Sequence, residues 1–195
     1  MSGKGKNRII VVGIGEDGLE GISPAARRLI EAADLLVGGK RHLAKVPEGT
    51  ERRLDWKDGF DKAFDIIDRN KGKKAVVLAS GDPLNFGVGA NVVRRFGADR
   101  VTVVPSPGAF SLAAARMGWP LAEVECLTAH GRPIESVHLH LVPGRRLLVL
   151  SWDGWTPGKL AKLLKGRGFG PSPMTVLANM GGKETRFRGT AGKWP

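Results

Sequence analysis

Short apolar runs alternate with amphipathic stretches along most of this chain, a pattern that points to an α/β domain with a mainly parallel sheet. RIIVVG, from Arg8, has the composition of a buried strand. Ser23 followed by Pro24 predicts the N-cap and first residue of a helix over SPAARRLIEAA, with Ala25, Leu29 and Ala32 or Ala33 on its apolar face. DLLVGG reads as a second strand, and DGFDKAFDIIDRN, from Asp58, as a helix with Phe60, Phe64 and Ile67 at helical spacing. KAVVLAS, ending at Ser80, is the next strand, followed by a helix around GANVVRRFG and the strand VTVVPS.

A small-residue helix, GAFSLAAARMG, ends at Gly118, and Trp119 with Pro120 makes a natural break. The expected boundary therefore lies at 118–122, giving domains 1–118 and 122–195. Beyond it the pattern is less regular: EVECLTA, a possible helix SVHLHLV, the strand RLLVLSW, the helix TPGKLAKLLKGRG, the strand PMTVLAN and a last segment ETRFRGT, expected to form a mixed sheet.

The chain has 195 residues and a formal charge of +12, which calls for an anionic partner. Nucleic acid is one candidate, and a polycarboxylate or phosphate serves equally. The excess is +6 on each side of residue 120, and no basic arm stands out. Cys126 is the only cysteine, so no intramolecular disulfide forms. The apolar run after MSGKGKNR is too short for a signal peptide, and none is long enough to span a bilayer. The expectation is a cytoplasmic protein without membrane contact.

Three glycine-rich segments follow strands. Gly13, Gly15 and Gly18 satisfy GxGxxG, with Asp34 further on, so a dinucleotide site must be weighed. Against it, the helix signal at Ser23 comes after the glycine turn rather than inside it, and Asp34 begins the second strand instead of ending it. An ordinary tight turn and a cofactor loop of another kind remain. In ASGDPLNFGVG, Gly81 permits unusual backbone angles and Pro83 restricts Asp82. Asp82 suits a cationic group such as an α-ammonium, or else forms a turn or caps a helix. In VVPSPGAFSLAAARMG, Ser106, Pro107 and Gly108 lead into an Ala-rich helix that lets a flat ligand, or simply another backbone, come close.

VVGIGEDGLEGISPAARRLIEAADLLVGGKRHL, LASGDPLNFGVG, VPSPGAFSLAAARMGWPL, LTAHGRP and VLANMGGKE, in this order between Arg8 and Thr190, resemble the precorrin-6Y C5,15-methyltransferases, specifically their C5-methylating component. These belong to the tetrapyrrole methylase superfamily. The resemblance implies two α/β domains with S-adenosylmethionine in a cleft between them, an anionic tetrapyrrole substrate, a homodimer, and a C15-methylating, decarboxylating domain or subunit as partner. By position, Gly13, Ile14 and Gly15 border the cleft, and Gly81, Asp82 and Pro83 form the GDP signature with Asn85 beside it. Gly108 and Ala109 stand where relatives often carry serines, so contacts there come from the backbone. Ser151 to Asp153, and Ala178 with Asn179, are expected to face the adenosyl group. Relatives continue beyond GTA with another strand segment, so the second domain is expected to be truncated at its end.

There is no GxSxG, HExxH or CxxC, as suits a transfer that depends on positioning and exclusion of water. His130 and Arg132 are the polar candidates for the substrate cleft, with a surface or packing role open for His130. His138 and His140 do not make a metal site with one cysteine in the chain. Lys159, Lys162 and Lys165 fall opposite Leu160, Leu163 and Leu164 as a solvated face. The alternatives are an RNA methyltransferase of the same superfamily and a non-enzymatic nucleic-acid-binding protein, the latter disfavoured by the lack of tyrosine and of a nucleic-acid motif.

Overall fold

Val11 and Val12 are adjacent and fully buried, yet they belong to opposite faces of one sheet. This sheet organises the first of two compact units, Met1–Gly108, in a computed structural model that describes residues 8–57 and 59–194. Its strands are β1 (Ile9–Ile14), β2 (Leu35–Gly38), β3 (Arg52–Asp55), β4 (Ala75–Ser80) and β5 (Val101–Val104), all parallel, in the order β3-β2-β4-β1-β5. Central strands of such a sheet are apolar on both faces because helices cover both.

The helices of this unit are α1 (Pro24–Glu31), α2 (Lys40–Leu43), α3 (Phe60–Arg69) and α4 (Gly89–Phe96). Helix α1 packs on Val12, Ile14, Leu36, Val76 and Leu78, whereas α3 and α4 pack on the Val11, Val37 and Val77 side. The chain leaves β1 toward β2 and leaves β4 toward β5, in opposite directions along the sheet. The carboxyl ends of β1 and β4 are thus a topological switch point, where open α/β sheets bind ligands.

The α1 start is as expected: Ser23 accepts from the Ala26 amide at 3.1 Å, with Pro24 at the first helical position. Its buried face is different. Ala26 and Ile30 point inward with Ala33 against them, while Ala25 is exposed. Alanines at neighbouring positions allow two faces, and the bulk of Ile30 decides which one the sheet takes. In α3, Phe64 and Ile67 are buried, and Phe60 stacks on Phe64 and meets Trp56 edge-on at the surface. Asp58, the expected start of that segment, lies outside the described residues.

The second unit is Ala109–Pro195. The division falls before α5 (Ala109–Met117), not after it as expected from Gly118. Phe110 and Ala114 of α5 bury against Leu148 of β7 (Arg146–Leu150), so the helix belongs with the second core. β6 (Val124–Thr128) pairs with β7 in parallel, and β8 (Pro173–Ala178) with β9 (Thr185–Thr190) antiparallel. Both orientations are present, in separate two-stranded sheets. Between them, α6 (Thr156–Gly166) buries Ala161 and Leu164 and exposes Lys159, Lys162 and Lys165. The segment expected as a helix over SVHLHLV forms 3₁₀ turns at Ile134–His140.

Among the described residues no helix is long and apolar enough to cross a membrane.

Candidate functional site

The ends of β1, β4 and β5 are tied together by backbone. Gly81 N donates to the Ile14 carbonyl at 3.2 Å, and Ser106 N donates to the Gly81 carbonyl at 3.1 Å. Ser106 Oγ donates to the Gly13 carbonyl at 2.8 Å. A side chain at Gly13 would fall on the Gly81 carbonyl, so only glycine lets these strand ends meet. Gly81 adopts φ +49°, and a Cβ there would come within 2.8 Å of the Gly108 Cα. The three glycine-rich segments singled out in the sequence therefore form one junction in the first unit.

From this junction the loop 81–88 coils over Pro83, which is buried. Asp82 Oδ1 accepts from the Leu84 amide at 3.0 Å, and Asn85 N donates to the Asp82 carbonyl at 3.2 Å. The turn-forming role is thus real, and it occupies one carboxylate oxygen. Oδ2 has no hydrogen-bond partner among the described residues and can accept from a ligand cation. Phe86, at φ 56°, holds a backbone conformation uncommon for a bulky residue.

The dinucleotide reading fails on geometry. Gly15 and Gly18 close a tight turn, α1 begins only at Pro24, and Asp34 accepts from the Lys74 amide at 2.7 Å as a strand-start residue.

A cluster at the same edge of the sheet was not anticipated. Arg41 Nη2 and His42 Nε2, both from α2, each lie 2.9 Å from Ser80 Oγ at the end of β4. Lys45 Nζ donates to the Gly15 carbonyl at 2.9 Å and to Glu16 Oε2 at 2.7 Å. That ammonium holds Glu16 below the usual carboxylate range. Burial, followed by the charges of Arg41 and Lys45, pushes His42 down to about 4, so its ring is neutral at neutral pH. The available signal was positional: in a parallel sheet, the charged run KRHL directly after β2 opens at the same edge as the glycine loops.

The remaining candidates belong to the second unit. Ala109 is the exposed first residue of α5. Ser151 is exposed just past β7, and Ala178 ends β8 beside Asn179, which takes φ 54°. His130 stacks on Trp152 with centroids 5.0 Å apart, and its amide donates to Thr128 Oγ1 at 3.0 Å. Arg132, Trp152 and Lys159 border a cleft of about 230 Å³. Asp153 is absorbed by the start of α6, where Oδ1 accepts from the Trp155 and Thr156 amides and the Thr156 hydroxyl. His140 Nδ1 faces Glu125 Oε1 at 3.4 Å.

The family model of the tetrapyrrole (corrin/porphyrin) methylases matches residues 8–194. The chain belongs to this family. It is 42% identical over 179 residues to a Sinorhizobium precorrin-6Y C(5,15)-methyltransferase [decarboxylating], covering 91% of this chain and 43% of that protein. A Salmonella typhimurium cobalt-precorrin-7 C(5)-methyltransferase is 32% identical over 92% of this chain and 88% of its own length. The chain thus spans about half the length of the first relative and most of the second. Among solved structures, the Thermus thermophilus uroporphyrin-III C-methyl transferase complexed with S-adenyl homocysteine superimposes with a TM-score of 0.70 at 24% identity, covering 96% of this chain and 85% of that one. The tetrapyrrole methylase fold expected from the resemblance is the fold found. These relatives lend no support to the RNA methyltransferase or nucleic-acid-binding alternatives.

Proposed function

We propose that this chain is an S-adenosylmethionine-dependent C-methyltransferase that methylates C5 of a precorrin-type tetrapyrrole in cobalamin biosynthesis. The observation that carries the reading is the Gly13–Gly81–Ser106 junction, which leaves backbone rather than side chains at the switch point of the sheet. Relatives named for C5 and C5,15 methylation of precorrins support the choice of substrate and position.

In this reading Gly13, Ile14 and Gly15 border the cofactor on one side, and Gly81, Asp82, Pro83 and Asn85 on the other. Asp82 Oδ2 accepts from the α-ammonium, while Oδ1 keeps the loop in shape through Leu84. Gly108 contributes through its backbone, since a Cβ there would lie 3.3 Å from the Asp82 Cβ. Ala109, Ser151, Ala178, His130 and Arg132 are proposed second-unit contacts, the last two to substrate. S-adenosylmethionine supplies an electrophilic methyl on a good leaving group, so the protein needs no nucleophile of its own. What the residues contribute is alignment of the reacting atoms and exclusion of water.

The longer relatives favour a C15-methylating, decarboxylating domain or subunit as partner. A homodimer and a cytoplasmic location complete the reading. Calorimetric titration with S-adenosylmethionine tests it: saturable binding that is lost in Asp82→Ala is expected, and a chain that binds no S-adenosylmethionine overturns it.

A further inference from the structure

We propose that Arg41 and the Ser80 hydroxyl form a recognition point for a carboxylate of the substrate, with His42 as the positioning residue that holds the hydroxyl. The inference rests on the reading above, in which the substrate is an anionic tetrapyrrole, and assigns one of the contacts that would hold it.

Ser80 is the one exposed residue of β4, and the next residue opens the Gly81–Asp82–Pro83 loop. Its hydroxyl can accept two hydrogen bonds and donate one. Arginine can only donate, so Arg41 Nη2, at 2.9 Å, takes one of the acceptor positions. The role of His42 follows from its other ring nitrogen. Nδ1 is buried without a hydrogen-bond partner among the described residues. A proton there would be an orphaned buried donor, which proteins avoid more strictly than an unpaired acceptor. The proton therefore sits on Nε2, which donates to Ser80 Oγ at 2.9 Å and fills the second acceptor position.

The hydroxyl's own hydrogen is then left over. No acceptor for it lies within hydrogen-bond distance among the described residues, so it points to solvent or to a ligand. Beside it, the Arg41 side chain is 66% exposed, and its contact with Glu16 is a loose 3.9 Å because Lys45 holds that carboxylate at 2.7 Å. An O–H donor and a guanidinium side by side match the two oxygens of one carboxylate. At these two atoms a cationic or purely donating ligand group would meet only hydrogens, and the nearby Glu16 carboxylate is already held by Lys45 at 2.7 Å. A Ser–His nucleophile is excluded by the same contacts, since the Oγ lone pairs are occupied and no group orients the imidazole from Nδ1.

The test measures methyl transfer and S-adenosylmethionine affinity in the full chain for Arg41→Gln, Ser80→Ala and Arg41→Lys. Losing one charge-assisted contact should raise the tetrapyrrole KM about tenfold in the first two variants, with partial recovery in Arg41→Lys. The S-adenosylmethionine Kd should stay within about twofold, which also reports that the variants are folded. An unchanged tetrapyrrole KM in both variants beside an active wild type overturns this inference alone, as does an equal loss of cofactor affinity in Arg41→Gln. A wild type that transfers no methyl to any precorrin overturns the functional reading and this inference with it.

Discussion

Ser106 Oγ donates to the Gly13 carbonyl at 2.8 Å across 93 residues of chain, and together with the Ser106 amide on Gly81 it sets how closely the ends of β1, β4 and β5 approach. Gly13→Ala should break this arrangement, because the added methyl falls on the Gly81 carbonyl and within 2.8 Å of the Ser106 amide. Backbone cannot yield as a flexible side chain can, so a loss of about 2 kcal/mol or more in urea unfolding is expected, with no remaining S-adenosylmethionine binding. Ser106→Ala removes only the side-chain bond and should cost about 1 kcal/mol.

Asp82 serves the loop and, in the proposed function, the cofactor, and the two roles separate in Asp82→Asn. The amide oxygen can still accept from the Leu84 amide, so the melting temperature should hold. The lost charge should weaken S-adenosylmethionine about tenfold or more in calorimetry. Loss of stability with unchanged affinity would assign Asp82 to the loop alone.

Two strongly depressed groups, His42 and Glu184, make stability depend on pH in separate ranges. His42 is held at about 4 against an ordinary 6.5, chiefly by burial. Above 6.5 its ring is neutral whether the chain is folded or not; as pH falls toward 4 the unfolded chain binds a proton that the folded one refuses, and stability is lost. Glu184 is held at about 2 against 4.5 by the Arg116 side chain and then by the Gly181 amide, so its contribution is present above 4.5 and lost as pH falls toward 2. Thermal melts of His42→Asn should lose the first dependence and keep the second.

Much of the first unit was legible because its signals are local. Ser23 caps α1 through a hydrogen bond three residues away, and each glycine segment follows its own strand directly. What the sequence could not display was pairing over distance. Edge strand β3 has half-exposed, mostly charged residues and takes its place through its register on β2, with Leu36 opposite Arg53, and through Leu54 against the core. Helix α5 looked like the end of the first domain because Gly118 and Pro120 follow it, yet Phe110 finds its packing partner in Leu148. Ser80 joins Arg41 and His42 from 39 and 38 residues away, so no spacing rule along the chain would have grouped them.

Methylation at C5 is tested by incubating the chain alone with S-adenosylmethionine labelled in its methyl group and a late precorrin, then locating the label by NMR. One labelled methyl at C5 is expected, with no release of carbon dioxide. Label at C15, decarboxylation by this chain, or no transfer at all would contradict it.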